Sequence, residues 1–310
     1  MSSSIWAVTS LFNPQKYRRR IANYREFRRR LAIPLLTVEL SFDGEFEVGE
    51  GEADVLLRVG AGDVMWQKER LLNLGIRALP AACHAVAVLD SDIVFENAAW
   101  PEEAERLLRD RAAIQPFSRV RHLGQDQSPD DHGLEQSDAA QVSAASAIAR
   151  GERAVDVLGP QTGHGRGAAN PGHAWVFRRE VLSEHGLFEG SIIGGGDTAV
   201  ACASFGAMDA VERRHEMNDR QRGFYRAWAE GWGAEVNGRV GFLEGDILHL
   251  WHGNLLNRQA AIRHRGLAPF SFDPTRDIAA APGEAWRWAS DKPDLHRYVR
   301  QYFADRRDDG

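Results

Sequence analysis

Apolar residues fall along this chain in two alternating patterns, short continuous runs and longer stretches at helical spacing. Ile5 to Ser10 is a short run that reads as a buried strand. Asn13-Pro14 then opens a predicted helix, with a capping side chain and a proline in its first turn. Tyr17, Ile21, Tyr24, Phe27 and Leu31 give that helix one apolar face, and the triplets Arg18–Arg20 and Arg28–Arg30 lie largely off it as a solvated face. Pro34 to Leu40 and Ala53 to Val59 are predicted strands. Met65 to Leu74 is a predicted helix stopped by Gly75, and Ala85 to Leu89 is the next strand. Residues 101–113 read as a helix, and the run IQPFSRV continues into another strand.

From about Gly124 to Asn170 the pattern dissolves into Gln, Ser, Asp, Gly and Ala, which predicts a mobile insertion with one short helix near Ala139 to Arg150. Its glycine-rich tail, TGHGRGAANPGH, reads either as a lid or acceptor-site loop or as plain surface. Order returns with a strand at His173 to Phe177, then a helix ended by Gly186 and a helix through Cys202 capped by Asp197. A helix at Asp219 to Glu230 and a strand at Val240 to Leu250 follow. Strands alternating with helices predict an α/β fold with a mixed, mainly parallel sheet. The expected organisation is one domain over 1–265, with the insertion at about 124–170, and a helical tail over 266–310 packed on the core through Trp286, Trp288, Tyr298 and Phe303.

Bulk properties exclude some classes of function. The net charge of −6 lacks the basic surplus of a nucleic-acid binder, so no nucleic-acid partner is expected. Cys83 and Cys202 fit no metal spacing and stand among small apolar residues, as reduced core thiols do. No run is long enough to span a membrane, and the start MSSSIWAVTS lacks the layout of a signal peptide. A soluble, cytoplasmic protein is expected.

Candidate chemistry concentrates in LDSDIVF (89–95) and LHLWHG (248–253). A buried strand that ends on Asp90-Ser91-Asp92 places oxygen ligands at a sheet rim, where open α/β sheets bind their ligands. His249 and His252 follow a second apolar run. One carboxylate with two imidazoles suits Mn²⁺ or a similar ion, whose remaining positions would take a substrate phosphate. An Asp-x-Asp is also an ordinary turn or helix cap. Lys68 and Arg70 read as solvent-facing or as phosphate contacts, Trp66 and Trp251 as core or as stacking platforms, and His164 and His173 as exposed or internally satisfied. Arg58, at the end of the third strand, is a candidate nucleotide contact.

Four segments in order, MWQKERLLNLGI (65–76), LDSDIVF, GGGD (194–197) and HLWH (249–252), resemble GT-A glycosyltransferases, most of all the β-1,4-galactosyltransferase superfamily. The resemblance implies a GT-A, Rossmann-like sheet and a hexosyltransferase-type enzyme that uses Mn²⁺ or Mg²⁺ and a nucleotide sugar, expected to be a UDP-sugar. It implies Asp92, His249 and His252 as metal ligands and Asp90 near the nucleotide. Thr9 falls where the family contacts the nucleotide; Gly195 and Gly196, which allow close backbone approach, and Trp251, which could stack on a sugar or base, are further donor-site candidates. Asp197 matches the general base of inverting members, ionised because a helix amino terminus lowers its pKa. The acceptor would be a glycan, lipid-linked or other hydroxyl. The family's Trp-Gly-Trp lead-in is Ser191-Ile192-Ile193 here, and the Glu before its base is Gly196. Its secretory anchor is missing, which suits a bacterial or phage-type relative. Rival readings are a non-catalytic nucleotide- or sugar-binding protein, a nucleotidyltransferase lacking the usual glycine-rich basic loop, and a metallohydrolase.

Overall fold

The computed structural model describes residues 4–131, 140–160, 169–260 and 262–310. β1 (Ile5–Phe12) runs through the middle of a seven-stranded sheet. α1 (Arg18–Arg30) begins later than Asn13-Pro14 predicts. The Asn13 Oδ1 accepts from the Tyr17 amide at 3.0 Å and Lys16 adopts φ 54°, so the cap residue closes a turn ahead of the helix. The first amides of α1 are capped instead by Asp309, which accepts from Arg18 and Arg19 at 3.1 and 2.8 Å. β2 (Leu35–Leu40) and β3 (Val55–Val59) extend the sheet in parallel on one side of β1. α2 (Lys68–Ala78) returns the chain so that β4 (Ala85–Leu89) pairs in parallel on the other side.

β5 (Ile93–Phe95), α3 (Trp100–Leu107), β6 (Ala113–Gln115) and β7 (Arg119–His122) follow. Between 140 and 160 lie β8 (Gln141–Val142), α4 (Ala144–Ala149) and α5 (Ala154–Leu158), with Ala144, Ala147, Val157 and Leu158 buried in the main core. β9 (Ala174–Arg178), α6 (Arg179–His185), α7 (Gly196–Ser204), α8 (Met208–Arg214) and α9 (Asp219–Val236) come next. The expected strand over Val240 to Leu250 is two, β10 (Val240–Phe242) and β11 (Asp246–His249), because the chain changes sheets at Leu243–Gly245. β12 (Ile278–Ala279), β13 (Arg287–Trp288) and α10 (Pro293–Asp305) complete the chain.

The central sheet has the order β10-β6-β9-β4-β1-β2-β3, with β9 antiparallel to both neighbours and the other pairs parallel. It is the mixed, mainly parallel α/β sheet the sequence predicts. Successive residues of its inner strands alternate between two cores: Val8, Leu36, Val38, Val86 and Val88 face one, and Ala7, Leu35, Ala85 and Ala87 face the other. A second sheet, β5-β11-β7-β8, stands at the carboxyl end of β4. Among the described residues no helix is long and apolar enough to cross a membrane.

Gly75 does not stop α2, which continues to Ala78. Its missing side chain lets the helix lie on the sheet: a Cβ there would stand 2.7 Å from Val8 and 2.9 Å from both Leu36 and Val38. Gly75→Ala is therefore expected to destabilise the protein by about 1–3 kcal/mol through overpacking. Urea denaturation measures it, and an unchanged midpoint would mean that α2 has slack against β1 and β2.

Candidate metal and donor site

β4 is buried along its whole length and ends at Asp90. Two backbone bonds fix the turn that follows: the Asp90 amide donates to the His173 carbonyl, and the Leu250 amide donates to the Asp92 carbonyl, both at 2.8 Å. β11 pairs antiparallel with β5, His249 opposite Ile93, and in parallel with β7, His249 opposite His122. This register carries His249 to the acidic turn, and His252 follows one turn later. Ligand atoms of Asp92, His249 and His252 lie within 4.8 Å of one another, and both histidines are buried.

The hydrogen-bond network assigns the protons. Gln141 Oε1 accepts from Asn170 and faces His122 Nε2 at 3.0 Å, so His122 Nε2 carries a proton and its Nδ1 is an acceptor. His249 Nδ1, 3.2 Å away, donates to that atom, which leaves the His249 Nε2 lone pair on the Asp92 side, 3.8 Å from Oδ1 and 3.5 Å from an Arg258 guanidinium nitrogen. Burial, with Arg258 close by, holds His249 far below the ordinary histidine range, and burial beside His173 brings His122 down to about 4. Both are neutral at pH 7.

His252 Nε2 lies 2.9 Å from Asp92 Oδ2 and 2.8 Å from an Arg258 guanidinium nitrogen. One ring nitrogen cannot donate to the carboxylate and accept from the guanidinium together, and Asp92 Oδ1 is buried with no hydrogen-bond partner. A cation shared by Asp92 and the two Nε2 lone pairs would satisfy all of these atoms, so the donor set fits a divalent ion. Burial is the largest single influence and would raise the Asp92 pKa, but His252, His173 and Arg258 together outweigh it and hold the carboxyl ionised, well below its usual range.

On the other side of the turn, Lys68 at the start of α2 bridges two carboxylates. Its Nζ is 2.5 Å from Asp90 and 3.0 and 3.1 Å from the two oxygens of Asp197. Lys68 and Arg70 are buried rather than solvent-facing; Arg70 clasps the carbonyls of Glu284 and Ala281 over the Trp286 ring. Asp197 lies in the first turn of α7, whose cap residue is Gly195. Its pKa is raised, contrary to the helix-terminus expectation: burial is the larger effect and Asp90 adds to it, against the pull of Lys68. Gly194 and Gly195 take φ of 87° and 99°, and a Cβ on Gly196 would collide with the Glu69 carboxylate. Glu69 thus fills the space a side chain at 196 would need, and burial raises it to about 8.

Sequence reading also misses what the tail contributes. Asp308, buried, reaches His252 Nδ1 at 3.5 Å while pairing with Arg306 and Arg20 at 3.3 and 3.1 Å. A carboxylate behind a ligating imidazole fixes its ring and strengthens its basicity. His173, in a left-handed conformation at φ 70°, places Nδ1 3.4 Å from Asp90. No residue spacing signals His122, His173, Lys68 or Asp308, since each reaches the site from a separate part of the chain.

The remaining candidates have other partners. Thr9 is buried, its hydroxyl donating to the Leu89 carbonyl at 2.7 Å. Arg58 is exposed, donates to the Val48 carbonyl and covers Phe46. Trp251 turns toward Arg19 and lines a groove of about 250 Å³ with Asn23 and Gln125. Trp66 packs in the core against Phe12 and Phe303. His164 and residues 162–168 of the glycine-rich run lie outside the described residues.

With this geometry in hand, known proteins offer a comparison of fold. The chain is similar to GT-A glycosyltransferases. Against S. aureus TarS 1–349 it gives a TM-score of 0.38 at 10% identity, covering 87% of this chain and 65% of that one. The same TarS fragment in complex with UDP gives 0.40 at 9% identity, over 97% and 70%. The catalytic domain of Drosophila β1,4-galactosyltransferase 7, in complex with xylobiose, gives 0.32 at 11%, over 64% and 60%. A 4-diphosphocytidyl-2C-methyl-D-erythritol synthase from Anaerococcus prevotii gives 0.34 at 11%, over 79% and 88%. At such identities the likeness is one of fold alone. No protein-family model and no curated protein matches the sequence.

Asp308→Asn is expected to weaken Mn²⁺ binding about tenfold or more, the usual effect of losing a carboxylate behind a metal-bound histidine. Isothermal titration measures it, and unchanged affinity would confine Asp308 to its pairs with Arg20 and Arg306.

Proposed function

We propose that this chain is a metal-dependent glycosyltransferase that moves a sugar from a nucleotide sugar, read as a UDP-sugar, to a hydroxyl acceptor with inversion. The observation that carries the reading is the convergence of Asp92, His249 Nε2 and His252 Nε2 at the carboxyl end of β4. A carboxylate and two imidazole nitrogens leave coordination positions open, as binding of a diphosphate on an ion requires. A divalent ion, Mn²⁺ or Mg²⁺, supplies neutralisation of the departing diphosphate when bound. Asp90 lies next to it, held ionised because Lys68 and His173 outweigh its burial, and faces the nucleotide.

Asp197 is the proposed base. It stands beyond Asp90 across Lys68, on the segment that carries Gly194 to Gly196, and its raised pKa strengthens it as a proton acceptor for an attacking hydroxyl. Lys68 keeps it oriented and partly neutralised. The same contact favours a second reading, since a carboxylate held by both oxygens is less free to take a proton. In that reading the protein binds a nucleotide or sugar without turning it over.

Melting temperatures with UDP and UDP-sugars, each with and without Mn²⁺, test the donor site. Ligand at about 100 times its dissociation constant adds roughly 2.7 kcal/mol. A shift with UDP that needs Mn²⁺ and is lost in Asp92→Asn is expected; no shift with folded protein would refute the donor reading. Asp197→Asn is expected to keep that shift while cutting turnover about 100-fold or more. Because its pKa is raised, the acid limb of kcat should lie above the ordinary aspartate value of 3.8 and vanish in the variant. Full transfer by Asp197→Asn would remove the residue from the role of base.

A further inference from the structure

Immediately after His252 and Gly253, the chain makes a short 3-10 turn, Leu255–Arg258. Arg258 folds back from its end, with one guanidinium nitrogen 2.8 Å from His252 Nε2 and 3.5 Å from His249 Nε2. Those are the two lone pairs that, with Asp92, form the ion site. The guanidinium therefore occupies the position where their charge and lone pairs converge.

Two further observations bear on how firmly it is held there. Arg258 Nε is buried without a hydrogen-bond partner, so this position leaves one of its strong donors unsatisfied. Among the described residues, the large apolar side chains left exposed are Leu255 at 47%, Leu256 at 67% and Ile262 at 56%, all on this stretch. The turn is thus not anchored by burial of its own apolar residues. Among the described residues, the hydrogen bonds by which Asn254–Gln259 reaches beyond itself are those of Arg258 to the two histidines and those its Gln259 carbonyl accepts from the Ile262 and Arg263 amides.

We infer that Arg258 is a built-in competitor for the divalent ion and sets the site's metal affinity. This rests on the donor-site reading above. Without an ion the guanidinium supplies the positive charge beside the two imidazoles. An ion bound to the same lone pairs cannot share that volume, so the Arg258 guanidinium must leave the histidines as it enters. Metal binding is then weakened by the fraction of molecules in which Arg258 is home. A home fraction of about 90% raises the apparent dissociation constant about tenfold.

The test is Mn²⁺ affinity, read from the free-ion paramagnetic resonance signal, for the full chain and the variants Arg258→Ala, Arg258→Gln, Asp92→Asn and Arg258→Ala/Asp92→Asn. Both single Arg258 variants are expected to bind one ion at least tenfold more tightly than the natural chain, with the gain lost in the double variant. Equal or weaker affinity in either folded Arg258 variant overturns the inference. Should both variants misfold, tryptic cleavage of the natural chain after Arg258 decides: Mn²⁺ should accelerate it, and an unchanged or slower rate overturns the inference. If Asp92→Asn abolishes binding and the Arg258 variants match the natural chain, only this inference fails. If neither the natural chain nor the Arg258 variants bind Mn²⁺, the donor-site reading fails as well.

Discussion

Asp90 and Asp92 follow directly on a strand with no exposed residue, so both carboxylates lose much of their water as the chain folds. Two partly buried negative charges, two residues apart, would each protonate or keep the strand end open unless positive or donor groups met them. Lys68 meets the first from α2, and His252 with Arg258 behind it meets the second. Removing one partner of a buried pair of this kind costs about 3–5 kcal/mol, far more than a surface ion pair contributes. The acidic turn is therefore the constraint around which neighbouring elements are placed.

That constraint accounts for features that look unrelated. The second sheet is short, yet its registers bring His249 beside His122 and both toward the turn. α2 lies close on β1 and β2 because of Gly75, and the same helix starts with the lysine that joins Asp90 to Asp197. The carboxy-terminal tail wraps back over α1, so Asp309 caps its first amides while the adjacent Asp308 stands behind His252. The tail is held to the body by Phe303 and Tyr302, and burying an aromatic side chain of that kind contributes about 1.5–3 kcal/mol. One short stretch of chain thereby ties helix stability to the orientation of a candidate metal ligand.

Much of the fold is legible in the sequence, because apolar periodicity is a local signal. AVAVL followed by Asp marks the end of β4 to the residue, and RREVLSEHG marks α6 with Gly186 as its stop. The stretch from Val240 to Leu250 reads as one strand because it is apolar on both sides of Glu244-Gly245-Asp246, the turn signal at which the chain changes sheet. At the site, Asp92, His249 and His252 stand out because the residues around them are apolar. Lys68, Arg258 and Asp308 do not, because a buried charge reads the same as a solvated one until its partner is known. Gly196 is a related case: the sequence shows a missing side chain, and only the fold shows Glu69 in its place.

The most direct measurement is anomalous scattering at the manganese edge from crystals grown with Mn²⁺ and UDP. One strong peak is expected, coordinated by an Asp92 oxygen, His249 Nε2, His252 Nε2 and the diphosphate, with the Arg258 guanidinium moved off the histidines. A crystal saturated with both ligands that shows no peak there, with Arg258 still on His252, would contradict it.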